Sequence, residues 1–308
     1  MLPTTRARLA VVAAAALFST GGAAIKATSL TSWQVAGFRS GIAALAVLLL
    51  VPASRRGWSW RTPVVGIAYA ATLLLFVLAN KLTTSANAIF LQSTAPLYLL
   101  LLGPLLLREP IRRRDLGFML AIGAGMVCFF IGTVPPVRTA PDPMRGNILA
   151  LASSVTWAFT LIGLRWLGSA GGGSDSGSAG LAAVVAGNVI AFGVALPFAL
   201  PVLHATTPDW FTLAYLGVIQ IGLAYVLLTR GMSHVPAFEA SILLLCEPVL
   251  NPVWSWFVHG ERPGAWALLG GAAILGATLG KTWIDTRGGR EPDAVRVTGG
   301  VHPAGGEE

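Results

Sequence analysis

Ten apolar runs alternate with short polar connections along the chain, at roughly 9–25, 33–52, 63–80, 85–106, 114–132, 146–167, 179–200, 210–230, 236–258 and 264–284. Each is close to the ~17–25 residues with which an α-helix crosses the hydrocarbon core of a bilayer. The connections, such as PASRRGWSWRT at 52–62 and LREPIRRR at 107–114, are too short and too charged to be further elements. The pattern therefore predicts an all-α integral membrane protein with ten transmembrane helices. The first run has a competing reading. Arg6 and Arg8, then LAVVAAAALF, then small residues at 21–24 also describe a cleavable signal peptide. The internal repeat described below requires this run as a helix.

Composition supports lipid as the solvent. Of the 308 residues, 55% are hydrophobic and 11% charged, against about 25% charged in soluble domains. Mean hydropathy is +0.71. The formal charge of +8 would point to nucleic acid in a soluble protein. Here the basic residues sit between apolar runs, so no nucleic-acid partner is expected, and they report orientation instead. With the N-terminus inside, 15 of the Lys and Arg residues fall on the cytoplasmic side and five (Lys26, Lys81, Arg138, Arg145, Arg262) on the other, with Arg39 inside a helix. Both termini are then cytoplasmic. The Ala-, Gly- and Arg-rich composition is that of a high-GC bacterium, which points to a multi-pass protein of the bacterial cytoplasmic (cell) membrane. Cys128 and Cys246 lie in apolar runs, so no disulfide framework is expected. No metal-ligand spacing and no cofactor motif stands out among His204, His234, His259, His302 and the acidic residues.

The spacing of a few residues reveals a duplication. Segment 79–110 aligns without gaps on 231–262, so that Pro96 meets Pro248, Glu109 meets Glu261, Ala88 meets Ala240 and Asn87 meets Glu239. Upstream, Lys26 meets Arg165 and Phe18 meets Trp157. Arg39 meets Asn188 once the Gly/Ser stretch at 168–180 (GSAGGGSDSGSAG) is taken as an insertion. Two five-helix halves follow: 9–132 after a cytoplasmic N-terminus at 1–8, and 146–284 before a polar, Gly-rich tail at 285–308 that is expected to be disordered. Five is odd, so the second half enters the membrane from the other side. Two inverted five-helix repeats are the architecture of many secondary transporters, because two similar halves of opposite orientation can exchange conformations.

TSANAIFLQSTAPLYLLLLGPLLLREP at 84–110 and ASILLLCEPVLNPVWSWFVHGERP at 240–263 resemble the EamA-type repeat of the drug/metabolite transporter superfamily. The resemblance spans about 9–284. It implies ten helices, a central cavity between the halves, and movement of small metabolites, often by export, with proton coupling or exchange. The first half departs from the pattern in carrying Ala95, not Glu, before its proline.

Polar residues inside the apolar runs are the candidates for function, since a charge at the bilayer centre costs about 2.5–3.5 kcal/mol on insertion scales. Glu247 lies in the ninth run, followed by Pro248, which frees the carbonyl of Leu244 and opens the helix locally. It is a candidate proton- or substrate-binding group, or else a structural carboxylate bonded to a neighbouring helix. Pro96 does the same to Gln92 in the fourth run, where Gln92 and Thr94 are candidates for lining a cavity or for helix–helix hydrogen bonds. Arg39 is a candidate for an anionic group or a cross-half carboxylate, with snorkelling to the interface as its alternative. Trp157, Tyr225 and Trp254 offer aromatic faces, and Asn188 and Gln220 neutral polar groups, against plain packing.

Lys26 and Arg165 read as interfacial anchors, and Glu109 and Glu261 as turn or capping residues. Gly270, Gly271, Gly276 and Gly280 permit close packing, with Gly276 and Gly280 in a small-xxx-small register that serves a monomer or a homodimer. The expected function is a secondary transporter moving a small metabolite, amino acid or drug-like solute by alternating access, with a site on helices one, two, four, six, seven and nine. A lipid-acting membrane enzyme and a structural or channel subunit are the competing classes, and the first lacks any nucleophile elbow or metal cluster.

Overall fold

The computed structural model describes residues 3–106, 111–132, 135–170, 176–232 and 235–287. Among the described residues, ten helices are long and apolar enough to span a membrane: α1 (Thr5–Ala27), α2 (Ser32–Leu50), α3 (Arg61–Leu82), α4 (Ser85–Leu106), α5 (Arg113–Ile131), α6 (Pro143–Gly168), α7 (Gly177–Ala199), α8 (Thr207–Met232), α9 (Ile242–His259) and α10 (Ala265–Arg287). Their starts carry local signals. Thr31 and Gln34 form a reciprocal capping box at α2, and the Thr84 hydroxyl accepts the Asn87 N–H at α4. Large apolar side chains such as Leu49, Leu105, Leu120, Phe211 and Phe257 point outward, as lipid-facing positions do. Glu109, His234, His302, residues 171–175 of the Gly/Ser stretch and 288–308 of the expected tail lie outside the described residues. The last helix runs on to Arg287, slightly past its expected end.

Packing between the halves obeys an exchange rule. Helix α1 packs on α8 and α9, and its repeat counterpart α6 packs on α3 and α4. In the same way α2 packs on α7 and α8, while α7 packs on α2 and α3. The self-related pairs α4–α9 and α5–α10 are in contact as well. Swapping first-half for second-half numbers maps these contacts onto one another, as expected of an inverted repeat.

The prolines repeat too. Helix α4 is interrupted between Gln92 and Ala95, and the ninth span between Leu244 and Cys246. Ser93 and Leu245, one at each interruption, are related by the same 152-residue offset that aligns Pro96 with Pro248. The cause is shared: a proline has no N–H to donate, so the carbonyl four residues earlier loses its helical partner. Because the two spans run in opposite directions, the two interruptions lie on opposite sides of the membrane centre. Two further irregularities have no proline. Thr20 separates Pro3–Ser19 from Gly21–Ala27 in the first span, and α8 widens into a π-helix over Tyr215–Leu223, a feature common at functional sites.

Glycine places α5 against α10, most closely at Gly270. A Cβ on Gly270 would lie 2.6 Å from the Gly125 carbonyl oxygen, and one on Gly271 2.8 Å from the Phe90 ring. Gly276 faces open space and a Cβ on Gly280 would lie 3.3 Å from the Phe118 ring, so the tightest approach on α10 is at Gly270 and Gly271. Backbones approach here because neither helix has a side chain in the way. Gly270→Val is therefore expected to destabilise the bundle by about 1–3 kcal/mol, read as a lower unfolding temperature in detergent. Gly276→Val is expected to leave that temperature within experimental scatter, and equal losses in both variants would refute the assignment of the packing face.

Candidate functional site

Seven of the ten helices converge on one polar cluster. The Tyr69 hydroxyl on α3 and the Tyr225 hydroxyl on α8 share a hydrogen bond of 3.0 Å, which joins the two halves. Phe18 of α1 packs edge-on against Tyr225 at 5.4 Å, and Trp157 of α6 lies 6.2 Å from the Tyr69 ring. Arg39 of α2, Asn188 of α7 and Glu247 of α9 all fall within electrostatic range of the Tyr69 hydroxyl. Gln220, in the π-helical turn of α8, donates to the Phe18 carbonyl at 3.2 Å.

The two charges of this cluster are not neutralised. Arg39 is 3% exposed, its Nε has no hydrogen-bond partner, and no carboxylate pairs with it among the described residues. Glu247 sits deep in the protein in the first turn after the break at Leu245, yet keeps some accessible surface. It has no hydrogen bond or counter-ion among the described residues. Asn188 Oδ1, Ser40 Oγ and Gln220 Oε1 are also buried without partners. Native proteins seldom leave so many buried polar atoms unmatched in one place. The arrangement gathers a cation, an anion, two phenols and amide oxygens in one cluster.

Arg39, Trp157, Asn188, Gln220, Tyr225 and Glu247 are thus brought together. Gln92 and Thr94 are placed elsewhere, in bonds between α4 and α6. Gln92 Nε2 donates to Ser153 Oγ at 2.7 Å, and the Thr94 and Ser154 hydroxyls are 2.8 Å apart. Trp254 donates to Ser19 Oγ at 2.9 Å. The cluster adds two residues that periodicity did not single out, Tyr69 and Phe18 as a site residue. A signal for Tyr69 existed: a phenol in mid-membrane must find a partner. The chain has four tyrosines, and Tyr215 also bonds across the halves, to Thr20 Oγ1 at 2.8 Å.

A second charged group lies at the bundle end that carries the α1–α2 and α9–α10 connections. Lys26 and Glu261, expected at an interface and in a turn, are both buried, and form an ion pair of 2.9 Å at 3% and 6% side-chain exposure. Lys26 also donates to the carbonyls of Thr83 at 2.7 Å and of Thr139, while Glu261 accepts the Ser85 N–H at 3.0 Å. Burial is tolerable because each charge meets both its opposite and oriented backbone dipoles. At the other end, Arg8 pairs with Glu239, and Arg114, Asp115, Lys281 and Asp285 form a partly exposed network between α5 and α10. Among the described residues no three His, Cys, Asp or Glu side chains gather as a metal site.

Comparison with known proteins gives concordant results. The model of the EamA-like transporter family matches residues 5–131 and 144–282. The pseudopaline exporter CntI of Pseudomonas aeruginosa strain PAO1 is 28% identical over 283 residues, covering 88% of this chain and 94% of that protein. An uncharacterized protein of the same strain is 30% identical over 279 residues, covering 84% of this chain and 89% of that one. A crystal structure with 19% identity superposes with a TM-score of 0.60 over 92% of this chain and 98% of its own, which shows a shared fold.

The tyrosine pair makes a measurable claim. A double-mutant cycle of Tyr69→Phe and Tyr225→Phe, followed by unfolding in detergent, is expected to give a coupling of roughly 0.5–2 kcal/mol. Strict additivity would mean that the two hydroxyls do not sense each other.

Proposed function

The chain belongs to the EamA-like transporter family, and on that premise we propose that it exports a small solute bearing both signs of charge, by alternating access at the Arg39–Tyr69–Tyr225–Glu247 cluster. It is a multi-pass membrane transporter of a small-molecule solute, not an enzyme. The observation that carries the finer reading is a pair of opposite charges on α2 and α9, without counter-ions among the described residues, beside a hydrogen bond between the halves.

Each charge is costly alone in a low dielectric. A solute carboxylate at Arg39 and a solute ammonium at Glu247 would offset both costs at once. Guanidinium suits carboxylate because its N–H groups match the two oxygens. The aromatic walls, Phe18, Trp157 and the tyrosines, would cover the remainder of the solute. An amino acid or a related metabolite satisfies this chemistry better than an apolar drug. The similarity to a protein named as a pseudopaline exporter supports export, and the excess of basic residues at the end of the bundle that carries α1's start supports cytoplasmic termini. In the absence of solute, Glu247 is the group placed to take a proton, so that coupling to protons would use the same site in alternation with the ammonium.

Flux in proteoliposomes tests the reading. Uptake of a panel of labelled amino acids and amino-acid conjugates is expected to saturate for at least one member. That flux is expected to fall about tenfold or more in Arg39→Gln and in Glu247→Gln, since each leaves one charge of the solute unmatched. Both variants must elute as monodisperse protein for the comparison to count. Wild-type flux in both would remove the cluster from the transport cycle, and non-saturating flux would favour a channel.

A further inference from the structure

The unpartnered polar atoms do not end at the central cluster. Along α9, Glu247, Asn251 and Ser255 follow one another at intervals of four residues and so share one face of the helix. Asn251 and Ser255 are each 1% exposed, and Asn251 Oδ1 and Ser255 Oγ have no hydrogen-bond partner. Ser85 Oγ of α4, fully buried beside Asn251, is unpaired as well. Ser255 and Glu261 line a narrow crevice with Thr84 and Pro263. A strip of unmatched hydroxyl and amide oxygens therefore runs roughly 12 Å along the helix axis from Glu247 to Ser255, and beyond it to the Lys26–Glu261 ion pair.

The short helical piece Gly21–Ala27 covers this strip. Gly22 leaves no room between backbone and strip, since a Cβ there would be 2.8 Å from Asn251 Oδ1 and 3.0 Å from Ser85 Oγ, while one at Gly21 would be 2.9 Å from Gln220 Nε2 on α8. The piece is set off from the remainder of its span by the interruption at Thr20. Its far end carries Lys26, whose ammonium ties it to Glu261 and to the carbonyls of Thr83 and Thr139. Those partners belong to the α9–α10, α3–α4 and α5–α6 connections, so one side chain clamps four parts of the molecule.

We propose that Gly21–Ala27 is the gate of the exit route, that the Glu247–Asn251–Ser255 face of α9 is the route itself, and that the Lys26–Glu261 pair is its latch. The inference rests on the transport reading and deepens it. The physical reason is a balance between two states. With the latch closed, opposite charges meet at the end of the bundle while a strip of polar atoms below them goes unmatched. With the latch open, water and solute reach those atoms and the ion pair is lost. An element with opposed costs in its two positions is bistable, as a gate must be. A route lined by a carboxylate, an amide and hydroxyls suits a hydrated, charged solute and opposes an apolar one.

Accessibility of Ser255 from the Lys26 end tests the gate without any solute. In a Cys128→Ser, Cys246→Ser background, Ser255→Cys and, separately, Arg262→Cys are reacted with a membrane-impermeant thiol reagent applied to that face of oriented vesicles. With the latch intact, Ser255→Cys is expected to react at least about tenfold more slowly than the exposed Arg262→Cys, the closed state being the major one. Adding Glu261→Gln or Lys26→Met is expected to raise the Ser255→Cys rate about tenfold and leave the Arg262→Cys rate unchanged. Equal rates at the two cysteines with the latch intact, or no acceleration in either latch variant that remains monodisperse, would overturn the proposal. Since labelling needs no substrate, a chain that moves none of the solutes offered in flux measurements still answers this question.

Discussion

Inside a bilayer there is no water to satisfy a polar group, and each such group must find its partner within the protein or be left to bind something else. The backbone meets this demand by remaining helical across ten spans. Side chains meet it by bonding between helices: Gln92 to Ser153, Thr94 to Ser154, Thr83 and Asn87 to Asn147. Lys26 and Glu261 show that even full charges are accommodated when opposite charge and backbone carbonyls surround them. Against this background the unmatched groups become informative. Arg39 Nε, Asn188 Oδ1 and Gln220 Oε1 belong to the central cluster, and Asn251 Oδ1 and Ser255 Oγ follow from it along α9.

Helix irregularities stand where these groups are. Pro248 breaks the ninth span next to Glu247, the π-helical stretch of α8 contains Gln220, and the interruption at Thr20 precedes the glycines that cover Asn251. A regular helix would use every backbone hydrogen bond in holding itself straight. Each interruption exchanges some of that regularity for a local bend and for close approach of neighbouring elements. The two halves place such bends by a shared rule, since Ser93 and Leu245 occupy equivalent positions in oppositely directed spans.

Much of the fold was legible in the chain because its determinants are local. Hydropathy places ten spans within a few residues of where they are found, and Pro96 and Pro248 announce the interruptions through covalent chemistry alone. The site was legible in part. Arg39, Asn188, Gln220 and Glu247 stand out because ionisable and amide groups are conspicuous in apolar runs. Tyr69 and Phe18 did not, because aromatic residues in membrane helices serve packing far more widely than binding. Lys26 and Glu261 sit near span ends, where solvation at the interface explains them equally well until their burial is known.

By itself, then, the sequence determined the solvent, the number of spans, the inverted relation of the halves and the set of polar groups that must be reconciled with lipid. These depend on residue type and spacing along one helix. Only the tertiary structure decided which polar groups satisfy each other. Gln92 and Thr94 found α6, Lys26 found Glu261, and Arg39 and Glu247 found neither each other nor any other counter-ion among the described residues. Pairing across helices depends on rotation and register between segments far apart in the chain, and no period within a single segment encodes it.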